Sequence, residues 1–440
     1  MFDRKKFITL LIPALIEALS ITILGIVTAA MVSHVGEYAM SAVSIVNTVN
    51  VILMNLFIAI GTGVTVKVSQ YIGQAHPNDA KSAAEQGLLL SLLISGGLAV
   101  LVVVFSEPLL HLLFGAADEL LLTTARSYLV CVALSYPFYS LFSSSVCILR
   151  GVGDFKIILF FEILINILNA ALCALFIFVF QLGVVGAGLG LVACRAVCGI
   201  WMYFILRRGT NLIKIDTIFQ RPKKSAILPV LNIGVPAGID SVIFNGGKLL
   251  VQSLLVTMGT AALAADAIAN NLAAFLLVPG AAMNMIVVTI VGQCFGTGDL
   301  AATRKSIWVL TGYSALFLLV INGICAFFLT PLLSIYNPSP EVFSLAKNLL
   351  WLVIPAYPFL WALAFVTPSA LRAVGDIRFT TTVSIVSCWV MRVGGSYLFV
   401  FEFGLGLYGI WYAMLADWVL RGILFGTRVA SHRWERLDRI

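Results

Sequence analysis

Tyr136-Pro137-Phe138, followed by Leu149-Arg150-Gly151-Val152-Gly153-Asp154, decides the fold because it occurs twice. About 221 residues further on the chain reads Tyr357-Pro358-Phe359, then Leu371-Arg372-Ala373-Val374-Gly375-Asp376. Working outward, Gly73-Gln74 matches Gly292-Gln293, and Val184-Val185-Gly186 matches Leu407-Tyr408-Gly409. Pro13 corresponds to Pro236, Asn47 to Asn270 and Arg126 to Lys347. Self-similarity over this length means one architecture built twice.

That architecture lies in a membrane. Of 440 residues, 61% are hydrophobic and 11% charged, and the mean hydropathy is +1.05. Such values exclude a soluble globular enzyme. A bilayer core of about 30 Å needs about 20 apolar residues per helical crossing. Hydropathy, with Gly, Pro and charge as punctuation, predicts twelve spans: 7–33, 43–73, 87–105, 124–149, 157–180, 184–207, 229–258, 265–295, 304–329, 344–371, 379–402 and 406–428. The fold class is therefore all-α, with twelve transmembrane helices in two pseudo-symmetric six-helix bundles. The expected division is an N-terminal lobe over 1–207, a basic cytoplasmic linker over 208–228 and a C-terminal lobe over 229–440.

Lys and Arg set the orientation. Arg4, Lys5, Lys6, Lys81, Arg150, Lys156, the cluster from Arg207 to Lys224, Arg304, Lys305, Arg372, Arg378 and the tail arginines all fall at alternate ends. The opposite loops, around 34–42, 106–123, 181–183, 259–264, 330–343 and 403–405, contain neither residue. Both termini are thus expected in the cytoplasm, with the chain integral to a bacterial cytoplasmic membrane. The first apolar stretch is too long for a secretory leader and recurs in mid-chain, so it is taken as a retained helix. The net charge of +7 belongs to the cytoplasmic face and to anionic lipid, and nucleic acid is not an expected partner.

Six helices per repeat give both halves the same orientation in the membrane, and two like-oriented bundles around a central cleft are a frame for alternating access. Ionisable groups inside the bilayer are costly, and each is a functional hypothesis when a partner or cavity can be named for it. Asp240 and Glu17 each lie four residues after the repeated proline, one in each half. Withdrawal from water favours the neutral carboxyl, which can then take a proton and release it when the cavity becomes wet or a cation arrives. These two are the candidate cation-coupling residues. Lys248, eight residues beyond Asp240, projects from nearly the same helix face and joins the cavity set with Asn245, Asn169, Asn166, Asn47 and Asn270. Arg392 and Asp417, on neighbouring helices at comparable depth, are expected to form a structural ion pair, and Arg195 to find Glu162, Asn166 or Asn169.

Gly61-Thr62-Gly63 through Gln70-Tyr71-Ile72-Gly73-Gln74, the two Leu-Arg-X-Val-Gly-Asp turns and Gly234-Val235-Pro236-Ala237 together resemble the multidrug and toxic compound extrusion (MATE) family, within the multidrug/oligosaccharidyl-lipid/polysaccharide flippase superfamily. The resemblance covers essentially the whole chain. It implies a two-lobed exporter exchanging organic cations for protons or sodium. Many bacterial members carry an Asp in the first span; here Thr28 stands in the corresponding stretch, residues 25–33. Another branch places a Glu in the seventh span and an Asp in the tenth; here the first is displaced about one turn to Asp240, and residues 355–370 contain no acid. Protons are therefore preferred over sodium.

Gly183 to Gly188 joins two membrane helices, so it is small-residue packing and not a nucleotide loop. There is no P-loop, no His-Glu-x-x-His helix and no metal spacing among the four histidines. The expectation is a non-enzyme: no catalytic residue, no metal, no cofactor, and an ion gradient as the energy source. The function expected is antiport of an amphipathic organic solute out of the cytoplasm by a monomer in contact with lipid. The alternative is a flippase for a lipid or lipid-linked saccharide, favoured if Lys248, Arg195 and Arg392 line the cleft.

Overall fold

In a membrane every backbone N–H and C=O must be satisfied within the chain, so apolar segments of this length fold as helices. The computed structural model describes residue 7 and residues 9–19, 37–114, 118–210, 213–218 and 220–436, and among these there is no strand. The basic start Arg4-Lys5-Lys6 and the stretch 25–33 with Thr28 lie outside the described residues.

Among the described residues, eight helices are long and apolar enough to cross a bilayer: Ser41–Gly73, Pro77–Val104, Phe155–Val179, Gly183–Arg208, Lys224–Val256, Val278–Gly296, Leu300–Phe327 and Ile377–Glu402. Two further crossings are bent pairs, Glu119–Leu134 with Tyr136–Val152 and Pro340–Val353 with Tyr357–Ala373, turning through 44° and 66°. Thr9–Leu19 is the described part of the first span, Thr260–Leu276 begins the eighth, and Gly406–Ala430 is the twelfth. The order is that of the twelve predicted spans. The fourth, seventh and eighth spans each start five residues before the predicted point, and the third starts ten before it, at Pro77, because proline at its first turn and Asp79 beside it favour helix initiation on a polar stretch.

The duplicated motifs explain the punctuation in both halves. Each Tyr-Pro-Phe lies at the bend of a broken span, where proline lacks the N–H that would continue the ladder. Each Gly-Asp ends that span: Gly153 and Gly375 take φ of 90° and 93°, and the following Asp N–H closes onto the carbonyl of Leu149 or Leu371 at 2.9 Å. Thereafter the copies diverge. Asp154 accepts the Ile157 N–H and caps the fifth span, whereas Asp376 takes the guanidinium of Arg428 at 2.7 Å.

Contacts divide the chain into two compact units, one of Met1–Ala18 with Ile239–Ile440 and one of Leu19–Gly238. These limits differ from the lobes read off the sequence, because the first and seventh spans are each cut at matching points shortly after the repeated prolines. In the Leu19–Gly238 unit an apolar core gathers around Phe57, Leu129, Val132 and Tyr136. Helices in lipid associate through close packing, since lipid is as apolar as they are. A Cβ on Gly188 would stand 2.6 Å from Cys131 Cβ, and one on Gly199 would stand 2.5 Å from the Phe138 carbonyl oxygen, so both sites require glycine's lack of a side chain.

The linker is fastened within the same unit. Glu85 and Gln86, both buried, accept the backbone N–H groups of Asp216 and Lys223 at 2.9 and 3.0 Å. Glu85 also accepts from the Gln220 side chain, and Lys81 pairs with Asp216.

Candidate functional site

The unit containing Ile239–Ile440 encloses a cavity of about 310 Å³. The seventh span supplies Lys248, Val251, Gln252 and Leu255, the eighth supplies Asp266, Asn270 and Asn271, the eleventh Arg392, and the twelfth Ile410, Trp411 and Met414. Lys248, Gln252, Asp266, Asn270, Asn271 and Arg392 converge on it beside the apolar side chains, so the lining is more polar than that of most small-molecule sites.

Asp266 organises the polar side. The Trp411 indole N–H donates to its Oδ1 at 2.8 Å, and the Asn270 amide donates to its Oδ2 at 2.9 Å. Asn270 lies one turn along the same helix, and its side chain also donates to the Asp266 backbone carbonyl at 2.9 Å. Lys248 and Arg392 oppose this acid, and both flank one aromatic ring: Lys248 Nζ is 5.9 Å and the Arg392 guanidinium carbon 5.4 Å from the centre of Phe244. Arg392 is carried on Cys388–Gly394, a stretch with widened helical turns; such stretches recur at functional sites because they redirect side chains.

Asp240 does not line this cavity. Arg372 Nη2 donates to Asp240 Oδ2 at 2.6 Å, so the leading candidate from the sequence is an ion-paired carboxylate beside the duplicated arginine turn. Glu17 is fully buried in the short segment that belongs to the same unit. The expected pair of Arg392 with Asp417 is corrected: Arg421, one turn further along the twelfth span, donates to Asp417 Oδ1 at 2.8 Å. Ser387 donates to the same oxygen, and Arg421 reaches the Ser384 carbonyl at 2.9 Å. An intrahelical partner one turn away needs no rotation of a neighbouring helix, and it leaves Arg392 free to face the cavity.

The amides divide. Asn270 lines the cavity, whereas Asn245 turns back on its own helix and donates to the Ser241 carbonyl at 2.7 Å. Asn47, Asn166 and Asn169 belong to the other unit, where Asn169 is buried and accepts the Cys173 thiol at 3.7 Å. Arg195, also in that unit, donates to the Ser135 hydroxyl at 2.6 Å and stacks 4.6 Å over Tyr139, a partner set different from the acid or amides expected for it.

Asp266 was missed because it falls at the first turn of the predicted eighth span, where a carboxylate is ordinarily solvated. The repeat gave no warning either, since the matching residue of the first half is Val43. The available signal was an acid one helical turn before the repeated Asn270.

The sequence profile of the MatE family matches residues 13–175 and 236–398, one segment in each half. The chain belongs to the MatE family. Among curated relatives, the probable multidrug resistance protein NorM of Thermotoga maritima is 27% identical over 98% of this chain and 93% of its own length. The multidrug resistance protein PmpM of Pseudomonas aeruginosa is 24% identical over 99% of this chain and 94% of its own. Solved structures of the same fold include an outward-facing MATE multidrug resistance transporter, with a TM-score of 0.87 at 20% identity over 97% and 96% of the two chains. A Pyrococcus furiosus transporter of the same superfamily, described as having reversed polarity in its binding pocket, also superposes with a TM-score of 0.87 at 20% identity, over the same shares. This MatE protein is thus a membrane transporter of two six-helix bundles.

Proposed function

We propose that this transporter is a secondary active exporter that moves an amphipathic organic solute out of the cytoplasm in exchange for protons. The coupling acid in this reading is Asp266; Asp240 is held by Arg372. The observation that carries the reading is the cavity itself, in which Asp266 is the one carboxylate among the described lining residues. A proton and a cargo ammonium group compete for that carboxylate: protonation abolishes the charge that holds the cation, and the arriving cation displaces the proton. One site that holds either, but not both, exchanges them across the membrane when it opens alternately to the two sides. Rocking of one bundle against the other supplies the alternation. Relatives named for multidrug resistance support the export direction, and the segregation of Lys and Arg supports cytoplasmic termini in a bacterial plasma membrane.

A second reading is favoured by Lys248 and Arg392 on the cavity wall: flipping of a lipid or lipid-linked saccharide with an anionic headgroup. Proteoliposomes loaded with a fluorescent organic cation separate the two. Exchange driven by an imposed pH gradient, and not by a sodium gradient, is the expected result. Lipid scrambling with no cation movement under either gradient would replace the export reading with the flippase.

A further inference from the structure

Arg195 lies midway along Gly183–Arg208, at a depth where an arginine is costly unless a partner or ligand offsets its charge. Its partners among the described residues are neutral. Nη1 donates to the Ser135 hydroxyl, which donates in turn to the Val132 carbonyl at 2.6 Å, and the Tyr139 ring covers one face of the guanidinium. A guanidinium carries five N–H donors, so most of this fork is uncommitted, and no described carboxylate pairs with it. Tyr128 and Tyr136 also stand within reach of its charge. Tyr136 is fully buried, and its hydroxyl meets no partner. Phe57 packs against Tyr136 and Tyr139, with ring centres 5.7 and 6.3 Å away, and fixes both phenols in place.

The duplicated half builds the same joint without a cation. The match of Gly186 with Gly409 carries Arg195 onto Trp418, and Tyr136 corresponds to Tyr357. There the pair is an indole beside a phenol, with ring centres 5.4 Å apart, and Phe365 meets the indole at 5.5 Å. Neutral aromatic packing thus suffices at the bend of a broken span. In the first half the same place holds a donor-only fork next to a phenol that lacks an acceptor. We infer that Arg195 and Tyr136, with Tyr128 beside them and Ser135 fixing the guanidinium, form a site for a small monovalent anion, a halide or the carboxylate of a solute. The free edge of the guanidinium and the Tyr136 O–H hold it by charge-assisted hydrogen bonds. Water in its place would meet the hydrogen bonds but leave the buried charge uncompensated. Every residue of this site lies in the Leu19–Gly238 unit and none lines the Asp266 cavity, so it stands or falls apart from the export reading.

Radiolabelled chloride and radiolabelled acetate, each added alone to the purified full chain in neutral detergent and a buffer free of other halides and carboxylates, test this by scintillation proximity. Saturable binding of at least one of them is expected in the wild type, and it should persist in Lys248→Gln, a change in the other unit. Arg195→Gln should abolish it, and Arg195→Lys should retain it because the charge stays. Tyr136→Phe should weaken it about tenfold, the value of one charge-assisted hydrogen bond. Binding of chloride without acetate assigns the site to a free halide; binding of acetate, strengthened in longer-chain carboxylates, assigns it to a solute. No saturable binding of either ion by the wild type overturns the inference. So does wild-type affinity in Arg195→Gln, which would show an adventitious ion only. If Arg195→Gln does not fold, Tyr136→Phe decides, and unchanged affinity in that variant overturns the site.

Discussion

Asp240 and Asp417 are each tied to an arginine, whereas Asp266 is hydrogen-bonded by neutral donors, and that difference is why the proposed coupling role falls to Asp266. A carboxylate facing a guanidinium at 2.6 Å gives up its partner when it takes a proton; one held by an indole and an amide breaks no direct ion pair when it does. Asp417→Asn leaves the buried Arg421 without its counter-ion, a loss of about 3–5 kcal/mol for a broken buried pair. Thermal melts of the detergent-solubilised protein should show a large drop for this variant and a much smaller one for Asp417→Leu combined with Arg421→Met, where no charge is stranded. An unshifted melting temperature in Asp417→Asn would show that the pair contributes nothing. Neither arginine partner was legible in the sequence. The one-turn spacing of Asp417 and Arg421 is plain on paper, but so was the neighbouring Arg392, and only the orientation of the helices chooses between them.

At the scale of elements, close approach and the linker strap carry the testable consequences. Gly199 stands against the Phe138 backbone, which cannot swing aside as a side chain can. Gly199→Ala should therefore destabilise by about 1–3 kcal/mol through overpacking, read as a lowered melting temperature with unchanged helicity. Asp216, Gln220 and Lys223 of the linker are held by Glu85, Gln86 and Lys81, so Glu85→Ala should expose the linker to limited proteolysis while the spans stay protected. The hydrogen bond from Lys81 holds the Asp216 carboxyl below the usual carboxylate range. A lowered folded-state value means the contact stabilises fully above the unfolded value of about 3.9 and is lost as the pH falls through the folded value. Linker protection in the wild type should accordingly exceed that in Asp216→Asn at pH 6, and the gap should begin to narrow below about pH 4 and close once the pH is below the folded value; a gap that never narrows on acidification would break the assignment to this pair. The bends at Tyr-Pro-Phe and the Gly-Asp stops were readable, because proline and glycine act through their own backbone. The strap was not, because Glu85 and Gln86 belong to a helical start that hydropathy placed outside the span.

For the whole molecule, the duplication and the hydropathy together contained the architecture: twelve spans, two like halves and an uninterrupted alternation of basic ends. The cavity was only partly legible. Lys248, Asn270 and Arg392 are on it, Asp240 and Asn245 are not, and Asp266 was hidden at a helix end. The depth of a residue can be counted along a chain, but the face it presents depends on how neighbouring helices are rotated. Export by proton exchange at Asp266 is therefore the claim that most needs a direct test. Purified wild-type, Asp266→Asn and Asp240→Asn proteins, each in proteoliposomes under the same imposed pH gradient, should be compared for cargo movement and the accompanying proton flux. The account predicts coupled exchange in the wild type and in whatever fraction of Asp240→Asn folds, and neither flux above that of empty liposomes in Asp266→Asn. Wild-type coupling in a correctly inserted Asp266→Asn protein would contradict it.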